Sequence, residues 1–553
     1  MAPTAKSQPA KIPRASQADS LRLLVLLGLV SAVLLDFCFP VAGPPRAWQP
    51  MLAFVALVPL LWTLLNARAA AHPRYLRRAA LTGYLCGVLW YILNCYWIYR
   101  TMLLYGGTIP ALGAAGILVL FSLVLGLYFA LFALLTAFFR RRLGLGPALV
   151  LAPFLWAAVE VAAARITSVP WDQLGYSQID NLFLTRLVPV TGVYGLSFVL
   201  VAANALLAFL ILAPGKPQKI RAAAIAAMVF VCLALLSLAT PPPAPTSDYA
   251  VLLQPNIQVS ANSNWAGNEW HGDLPWLLHQ DAQTCTPAYS GLPQPGPPPA
   301  TPAACAQNTA PPGVILWPET ASWFVSSEAR TRAAVAQVAT IAHAPFIAGM
   351  EGQDATGTYN SALFVRADGS VAGRYDKIHL VPFGEYIPYR SAFFFAKTLT
   401  HQLEDLQRGH TRTVFRTDGH AFGAFICYES IFADEIRRFV LNGAQVLVNL
   451  SDDGWYGDTS APWQHLEMTR MRAIENHRWL LLDTNNGVTT VIDPRGRVTL
   501  SAPRHQLTSL IARYGYETDL TFYTRHGDVF AWLCCAIAIL AFAAGLLRRY
   551  RAA

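Results

Sequence analysis

Charged residues are scarce in this 553-residue chain. Asp, Glu, Lys and Arg make up 13% of it, against about 25% in a typical soluble protein. Hydrophobic residues reach 54%, and the mean hydropathy is +0.37. This composition is too apolar for an ordinary soluble protein, yet long polar stretches remain. We therefore predict a membrane-embedded part joined to a water-facing part.

Sequence motifs for nucleotides and metals are also missing. The chain has no GxxxxGK phosphate-binding loop. His401, His465 and His477 lack the spacing of zinc ligands, and the acidic stretch 451–458, SDDGWYGD, lacks the ligand pattern of an EF-hand calcium loop. We predict that the protein binds no metal and uses no cofactor.

The formal net charge of +9 raises the possibility of nucleic-acid binding. Most Lys and Arg residues, however, stand in short clusters beside hydrophobic segments, which is typical of membrane orientation signals. We therefore predict no nucleic-acid partner.

Hydrophobic runs predict about eight membrane spans, since a span needs about 20 apolar residues. They lie near Leu21 to Phe39, Met51 to Asn66, Ala80 to Tyr99, Ala111 to Phe139, Pro147 to Ala164, Val188 to Ala213, Arg221 to Ala239 and Val529 to Leu547. We interpret the first run as a permanent span rather than a cleaved signal peptide, because no small-residue cleavage site follows it before Pro40.

Basic clusters predict the orientation of these spans. They precede the first span and follow the second, fourth, sixth and eighth, namely at 6–22, 68–78, 140–142, 216–221 and 548–551. All fall on one side if both termini are cytoplasmic. This predicts a membrane domain at 1–245, an extracytoplasmic domain at 246–527 and a C-terminal helix with a basic tail at 528–553.

The polar segment alternates short apolar runs with helical patterns. Runs such as GVILWPE at 313–319 and AQVLVNLSDD at 444–453 predict buried strands, and 326–344 and 460–479 predict helices. The alternation predicts an α/β domain. The Pro-rich stretch 291–304 is expected to be an exposed loop.

Three of the nine cysteines belong to this domain. Cys285 and Cys305 flank the Pro-rich stretch in a compartment that permits disulfides, and whether they pair is left open. Cys427 ends the run AFGAFIC and is a buried structural thiol, half of a disulfide, or a nucleophile.

Three segments of the domain end in reactive side chains: Glu319, Lys377 and Cys427. An ordinary thiol has a pKa of about 8.5, so a catalytic cysteine needs a base or a cationic neighbour. A carboxylate accepts the proton, and an ammonium stabilises the oxyanion after attack on a carbonyl. Taken singly, each residue also has a purely structural explanation. Glu319 could cap a helix, Lys377 could be a solvated charge, and Cys427 could be a small core residue.

The sequence motifs around these residues resemble those of one family. The nitrilase superfamily has a Glu-Lys-Cys triad, and its motifs are resembled here by WPE at 317–319, YDKIHLVPFGEYIP at 375–388 and CYES at 427–430. With spans on both sides, and VPWDQLGYSQ at 169–178, the chain resembles the membrane-embedded branch, the apolipoprotein N-acyltransferases. That resemblance implies a polytopic helical domain plus a nitrilase-like α-β-β-α sandwich.

The resemblance also implies roles for single residues. Glu319 would be the general base, Cys427 the nucleophile and Lys377 the oxyanion partner. Glu385 matches a second glutamate that orients the lysine or assists proton transfer. The supporting residues Tyr428 and Glu429 would shape the oxyanion pocket and the substrate entrance, and the motif around Trp265 resembles a tryptophan on a mobile family loop.

The reaction implied is acyl transfer in the bacterial inner membrane, with the catalytic domain on the periplasmic face. A phospholipid would donate the chain, and the N-terminal diacylglyceryl cysteine of an apolipoprotein would accept it. We expect a monomer. Two alternatives are a membrane-anchored amidase of the same superfamily, which needs only one anchor, and a transporter or sensor, which the scarcity of charge within the spans disfavours.

Overall fold

The computed structural model describes residues 21–105, 110–213, 215–221, 224, 231, 243–257, 259, 311–319, 325–387, 406–417 and 419–551. Its helices are α1 (Leu21–Asp36), α2 (Gln49–Leu52), α3 (Val58–Leu65), α4 (Ala67–Ala71), α5 (Tyr75–Asn94), α6 (Trp97–Tyr105), α7 (Ala111–Leu143), α8 (Leu145–Ile166), α9 (Val188–Thr191), α10 (Val193–Leu212), α11 (Ala329–Ala342), α12 (Ala433–Leu441), α13 (Ala461–Asn476), α14 (Phe522–His526) and α15 (Val529–Arg551).

The second predicted span is divided into two short helices, α2 and α3, each with a proline in its first turn. The break leaves backbone N–H groups without intrahelical acceptors. Side chains of neighbouring helices accept them: the Asn204 amide oxygen takes the N–H of Leu57 at 2.8 Å, and the Ser31 hydroxyl takes that of Leu60 at 2.9 Å. Buried polar groups thus make a broken helix tolerable among apolar ones.

Four described helices are long and apolar enough to cross a membrane, namely α7, α8, α10 and α15. Helices α5 and α6 add a fifth if the pair, bent by 50°, counts as one span. The predicted count of about eight is not confirmed, because α1 has 16 residues and most of the seventh run, Arg221 to Ala239, lies outside the described residues.

Two six-stranded sheets form the α/β part. The strands are β1 (Asp248–Gln254), β2 (Val314–Trp317), β3 (Phe346–Asp354), β4 (Gly357–Val365), β5 (Val371–Asp376), β6 (Val414–Arg416), β7 (Ala421–Ile426), β8 (Val446–Ser451), β9 (Trp479–Thr484), β10 (Thr490–Ile492), β11 (Val498–Ser501) and β12 (Thr508–Tyr514). The first sheet has the order β12-β1-β2-β3-β4-β5 and the second β11-β10-β9-β8-β7-β6. Strands β1 to β3 are parallel, as are β7 to β9.

The two sheets pack face to face over an apolar core that includes Leu316, Phe425 and Leu481. Helix α11 covers the outer face of the first sheet, and α12 and α13 lie on the second. The predicted α-β-β-α arrangement is therefore confirmed. Its central strands are buried on both faces, which explains why they are almost wholly apolar in sequence.

Helix α13 joins the sandwich to the membrane helices. Met468, Met471 and Ile474 belong to the same buried cluster as the cores of α5, α7 and α8. The Gln464 side chain accepts the Trp171 indole N–H at 2.9 Å and donates to the Asn94 carbonyl at 3.1 Å. Since Asn94 ends α5, this contact lies at the break between α5 and α6.

Candidate active site

The reactive side chains lie at strand ends. Lys377 directly follows β5, Cys427 directly follows β7, and Asp452 directly follows β8; Glu319 comes two residues after β2. The carboxyl ends of parallel strands meet at one edge of a sheet, and the face-to-face packing brings the edges of the two sheets together. The fold therefore gathers residues that are far apart in sequence.

Lys377 bridges two carboxylates. Its Nζ lies 2.9 Å from Glu319 Oε1 and 2.9 Å from Glu385 Oε1, and its side chain is only 1% exposed. An ammonium has three N–H donors. Two are engaged in these ion pairs, and the third has no acceptor among the described residues.

Asn360, on β4, ties the same two carboxylates together from the other side. Its Nδ2 donates to Glu319 Oε1 and to Glu385 Oε1, both at 2.7 Å. The remaining Glu319 oxygen, Oε2, accepts the backbone N–H of Asp452 at 2.9 Å. Glu319 is thus held by three donors, which fixes its orientation. Sequence reasoning missed Asn360, because a polar residue inside a strand gives no signal by itself.

Burial and the Glu319 carboxylate raise the pKa of the Cys427 thiol well above its usual range, although Lys377 acts in the opposite direction. Burial opposes the Lys377 ammonium, but Glu319 and Glu385 outweigh it and hold the pKa of Lys377 well above its ordinary value. The resting site therefore holds a neutral thiol beside a charged ammonium. Such a thiol needs a base before it can attack a carbonyl.

The nucleophile candidate has a left-handed backbone. Cys427 has φ of +48°. It directly follows β7 and is the first residue of a short 3₁₀ helix, Cys427–Ile431. This conformation costs a non-glycine residue about 1–2 kcal/mol. The carbonyl of Cys427 is held by the Asn449 Nδ2 at 3.2 Å and the His465 Nε2 at 3.1 Å. These two bonds offset the strain and fix the thiol at the strand end.

A fully buried polar chain stands behind that carbonyl. His465 Nε2 also lies 2.7 Å from the Ser430 hydroxyl, and its Nδ1 lies 3.1 Å from Asp453 Oδ1. The stretch 451–458, considered above for calcium, thus contributes to the site through its first residues. Burial and the Glu319 carboxylate raise the pKa of Asp452 to about 8.

Comparison with known proteins shows which family this chain resembles. Residues 31–206 match the model of the apolipoprotein N-acyltransferase N-terminal domain, and residues 300–515 match the model of carbon-nitrogen hydrolases. An apolipoprotein N-acyltransferase of Geobacter metallireducens is 31% identical, over 94% of this chain and 95% of its own. Those of Methylococcus capsulatus and Azotobacter vinelandii are also 31% identical, over 94% and 95% of this chain and 96% and 95% of their own.

The chain belongs to the apolipoprotein N-acyltransferase family. It is an N-acyltransferase with a nitrilase-like C-terminal region. Among solved structures, a Nesterenkonia amidase is 16% identical with a TM-score of 0.34, covering 51% of this chain and 93% of its own. A carbon-nitrogen hydrolase of Helicobacter pylori is 19% identical with a TM-score of 0.34, covering 48% of this chain and 88% of its own.

Glu429 of this N-acyltransferase lies inside the protein. It is fully buried, and its carboxylate accepts the backbone N–H groups of Ile378 at 2.7 Å and Ile426 at 2.8 Å. Burial raises the pKa of Glu429 despite these donors. Since Ile378 follows Lys377 and Ile426 precedes Cys427, Glu429 clamps the two reactive segments together. Its predicted part in shaping the oxyanion pocket and the substrate entrance stays a prediction.

Tyr428 points toward the membrane helices. Its hydroxyl lies 3.3 Å from the carbonyl oxygen of Ser168, which follows α8, and its ring packs edge-on against Phe432. The nucleophile candidate is therefore next to a residue that touches the helical part of this N-acyltransferase.

Three residues considered from the sequence lie outside the described residues: Trp265, Cys285 and Cys305. The role of the tryptophan and the pairing of the two cysteines stay predictions. Cys427 is not disulfide-bonded.

A second group of polar side chains lies away from the triad candidates. His477, Glu517 and Asp519 place one ligand atom each within 4.8 Å of one another. Asp519 already accepts from His477 Nδ1 at 2.9 Å and lies 3.5 Å from the Arg478 guanidinium. Asp519 is thus already paired with protein groups, and the absence of a metal stays a prediction.

Proposed function

We propose that this N-acyltransferase moves a fatty acyl chain from a membrane phospholipid to the α-amino group of the N-terminal diacylglyceryl cysteine of apolipoproteins, through a thioester on Cys427. The observation that carries the proposal is the Lys377 ammonium, held between Glu319 and Glu385 beside a buried thiol. A base, a cation and a nucleophile are the three groups that acyl transfer requires.

In the first step, Glu319 takes the proton of the Cys427 thiol and the thiolate attacks the ester carbonyl of the phospholipid. The free N–H of Lys377 donates to the oxyanion that forms. The ester C–O bond breaks, the proton held by Glu319 passes to the leaving oxygen, and a lysophospholipid departs. The acyl chain remains on sulfur as a thioester.

In the second step, the acceptor amine attacks the thioester carbonyl. Glu319 takes a proton from the amine, the C–S bond breaks, and the proton returns to the Cys427 sulfur. An amide has formed and the enzyme is restored. The energy comes from the ester and the thioester, so no cofactor is required.

Membrane attachment follows from the lipid character of both substrates. Their chains stay in hydrocarbon while the reacting groups reach a polar site, and the contact of Tyr428 with Ser168 supports a site that faces the helices. We propose a membrane domain at 1–245, a periplasmic catalytic domain at 246–527 and a C-terminal span within 528–553. About eight spans, cytoplasmic termini, a location in the bacterial inner membrane and a monomeric state complete the proposal.

Mass spectrometry of the purified full chain with phospholipid tests it. We expect a thioester adduct on Cys427 that passes to a synthetic diacylated lipopeptide, and no lipopeptide acylation by Cys427→Ala. Cys535→Ala, which removes a half-buried thiol of α15, is the matched control and should acylate normally. Undiminished acylation by Cys427→Ala would refute the proposal, and ammonia release from small amides would favour the amidase alternative.

A further inference from the structure

The membrane part contains a cavity of about 220 Å³ between α1, α3, α4 and α5. Its lining combines basic side chains with apolar ones: Arg68, His72 and Arg78 on one hand, and Leu24, Leu64 and Ala79 on the other. A water needs about 10–15 Å³ in a cavity measured this way. The space is therefore large enough for a phosphate group with part of a glycerol.

The cavity lies at the end of the helices remote from the catalytic domain. Gln464 donates to the carbonyls of Pro40 and Asn94, so the C-terminal ends of α1 and α5 face the sandwich. The cavity is at their opposite ends, around Leu24 and Tyr75. With 20 residues at 1.5 Å each, α5 is about 30 Å long, which is the thickness of the hydrocarbon core. The cavity thus lies at the headgroup level of the leaflet away from the catalytic domain.

Among the described residues that line the cavity, the charged side chains are all basic. None of its described lining residues is acidic, and α4 and α5 contain no Asp or Glu. Arg140 adds a further guanidinium nearby, where its Nε donates to the Leu65 carbonyl at 2.8 Å. Such a site favours an anion, and arginine forks match phosphate oxygens.

We propose that this basic cavity binds the phosphate of an anionic phospholipid, whose chains run along Leu24 and Leu64 into the bilayer. Basic pockets between membrane helices are suited to anionic lipid headgroups. The bound lipid is not the acyl donor, because its esters lie a membrane thickness away from Cys427. It holds the α3–α4 turn against α1 and α5. The proposal does not depend on the reaction assigned above.

Native mass spectrometry of the delipidated full chain in detergent tests the site, with phosphatidylglycerol and phosphatidylcholine as probes. We expect one phosphatidylglycerol to bind at least about tenfold more tightly than phosphatidylcholine. Arg68→Gln with Arg78→Gln should weaken it by about tenfold or more, since each lost charge-assisted bond is worth a factor of that size. Arg77→Gln removes the same charge one residue away, outside the cavity lining, and should change affinity by less than about twofold.

Equal binding of both lipids, or equal losses in Arg77→Gln and in the double variant, would overturn the proposal. Displacement of the lipid by millimolar inorganic phosphate would assign the cavity to free phosphate instead. If the double variant does not fold, His72→Gln serves in its place, with a smaller loss of phosphatidylglycerol affinity expected and unchanged affinity contradicting the site. Melting curves without lipid check the folding of each variant.

Discussion

Gly349, on β3, lies against the backbone of Pro318 and Glu319, which follow β2. A Cβ at position 349 would come within 2.3 Å of the Pro318 carbonyl oxygen and 2.7 Å of the Glu319 Cα. Both neighbours are backbone atoms, so they cannot turn aside as a side chain would. A methyl group at this position must push Glu319 away from Lys377.

We therefore expect Gly349→Ala to lower the acylation rate by about a hundredfold, the loss typical of a displacement of about 1 Å at a reacting group. The measurement is lipopeptide acylation at saturating phospholipid. Gly373→Ala is the matched control in the same sheet, because its Cβ would meet nothing closer than Phe415 at 3.7 Å. Equal rates for the two variants would contradict this reading of Gly349.

His465 is expected to carry a charge. A carbonyl oxygen only accepts, so the Nε2 facing Cys427 carries a hydrogen, and the Nδ1 facing the Asp453 carboxylate carries another. Burial disfavours the protonated ring, but the Asp453 carboxylate outweighs burial and raises the pKa of His465 above its ordinary value. An imidazolium thus holds the nucleophile from behind, and His465 is a positioning residue.

A pH series tests this charge. Because the folded-state pKa is raised, the stabilisation is complete below about pH 6.5, the unfolded value, and is lost as pH rises through the folded pKa. The difference in melting temperature between the native chain and His465→Leu should therefore be largest near pH 6 and shrink towards pH 9. His465→Gln, which can still donate to the Cys427 carbonyl, should keep more activity than His465→Leu. A melting difference independent of pH would show that the ring is neutral.

For single residues, the sequence predicts the reactive side chains better than the side chains that hold them in position. Glu319 and Cys427 stand at the ends of apolar runs, where strand ends expose functional groups, and Lys377 stands in a motif that resembles one of the nitrilase superfamily. Asn360 lies inside a run and acquires its contacts only from the packing of the two sheets. His465 occupies a helix and is recognisable only once α13 is docked behind Cys427. Both depend on tertiary register, which a local pattern does not contain.

Among the elements, helix α13 packs against both the sandwich and the membrane helices. Its predicted range, 460–479, agrees with the observed Ala461–Asn476 to within a few residues. The sequence pattern does not indicate that almost every side of the helix is buried, which occurs because one face meets the sandwich and another meets the membrane helices. The second predicted span differs from a single helix: it is divided into α2 and α3, each with a proline in its first turn, and polar side chains of other helices accept the backbone N–H groups at the break.

Arg472 is the most constrained charge on α13. Its guanidinium is fully buried, donates to Glu475 Oε1 at 3.1 Å and reaches the Tyr176 hydroxyl of the membrane part at 2.9 Å. Removing one partner of a buried pair leaves the other charge uncompensated, which costs about 3–5 kcal/mol. We expect Arg472→Leu to lower the melting temperature in detergent strongly and to reduce the yield of folded protein.

Arg470→Leu is the control on the same helix. Arg470 also reaches a residue of the membrane part, Asp180, at 2.5 Å, but that carboxylate is exposed. An ion pair with an exposed partner contributes about 0–1 kcal/mol, and the hydrogen bond from Arg470 Nε to the Gly496 carbonyl adds about 0.5–1.5 kcal/mol. The melting temperature should therefore fall much less than in Arg472→Leu. Adding Glu475→Gln to Arg472→Leu should restore part of the loss, since the unpaired charge is removed. Similar melting temperatures for Arg470→Leu and Arg472→Leu would refute the assigned importance of the buried pair.

For the whole molecule, the catalytic part and the membrane helices share one buried surface. Residues 246–527 contain both sheets and every triad candidate, which suggests a domain that folds alone. Yet Gln464 and Arg472 have their partners Trp171 and Tyr176 in the membrane part. Separation would expose the methionines of α13 and leave buried polar groups without partners, at about 1–3 kcal/mol for each group.

We therefore expect the segment 246–527, expressed alone, to aggregate or remain partly unfolded, and to transfer no acyl chain to lipopeptide. Size-exclusion chromatography and circular dichroism measure its state, with the full chain in the same detergent as control. Supplying 1–245 and 528–553 as separate chains should recover folded material, because the interface would be restored. A soluble, cooperatively melting fragment would mean that the sandwich is independent and that α13 docks onto the helices without being stabilised by them.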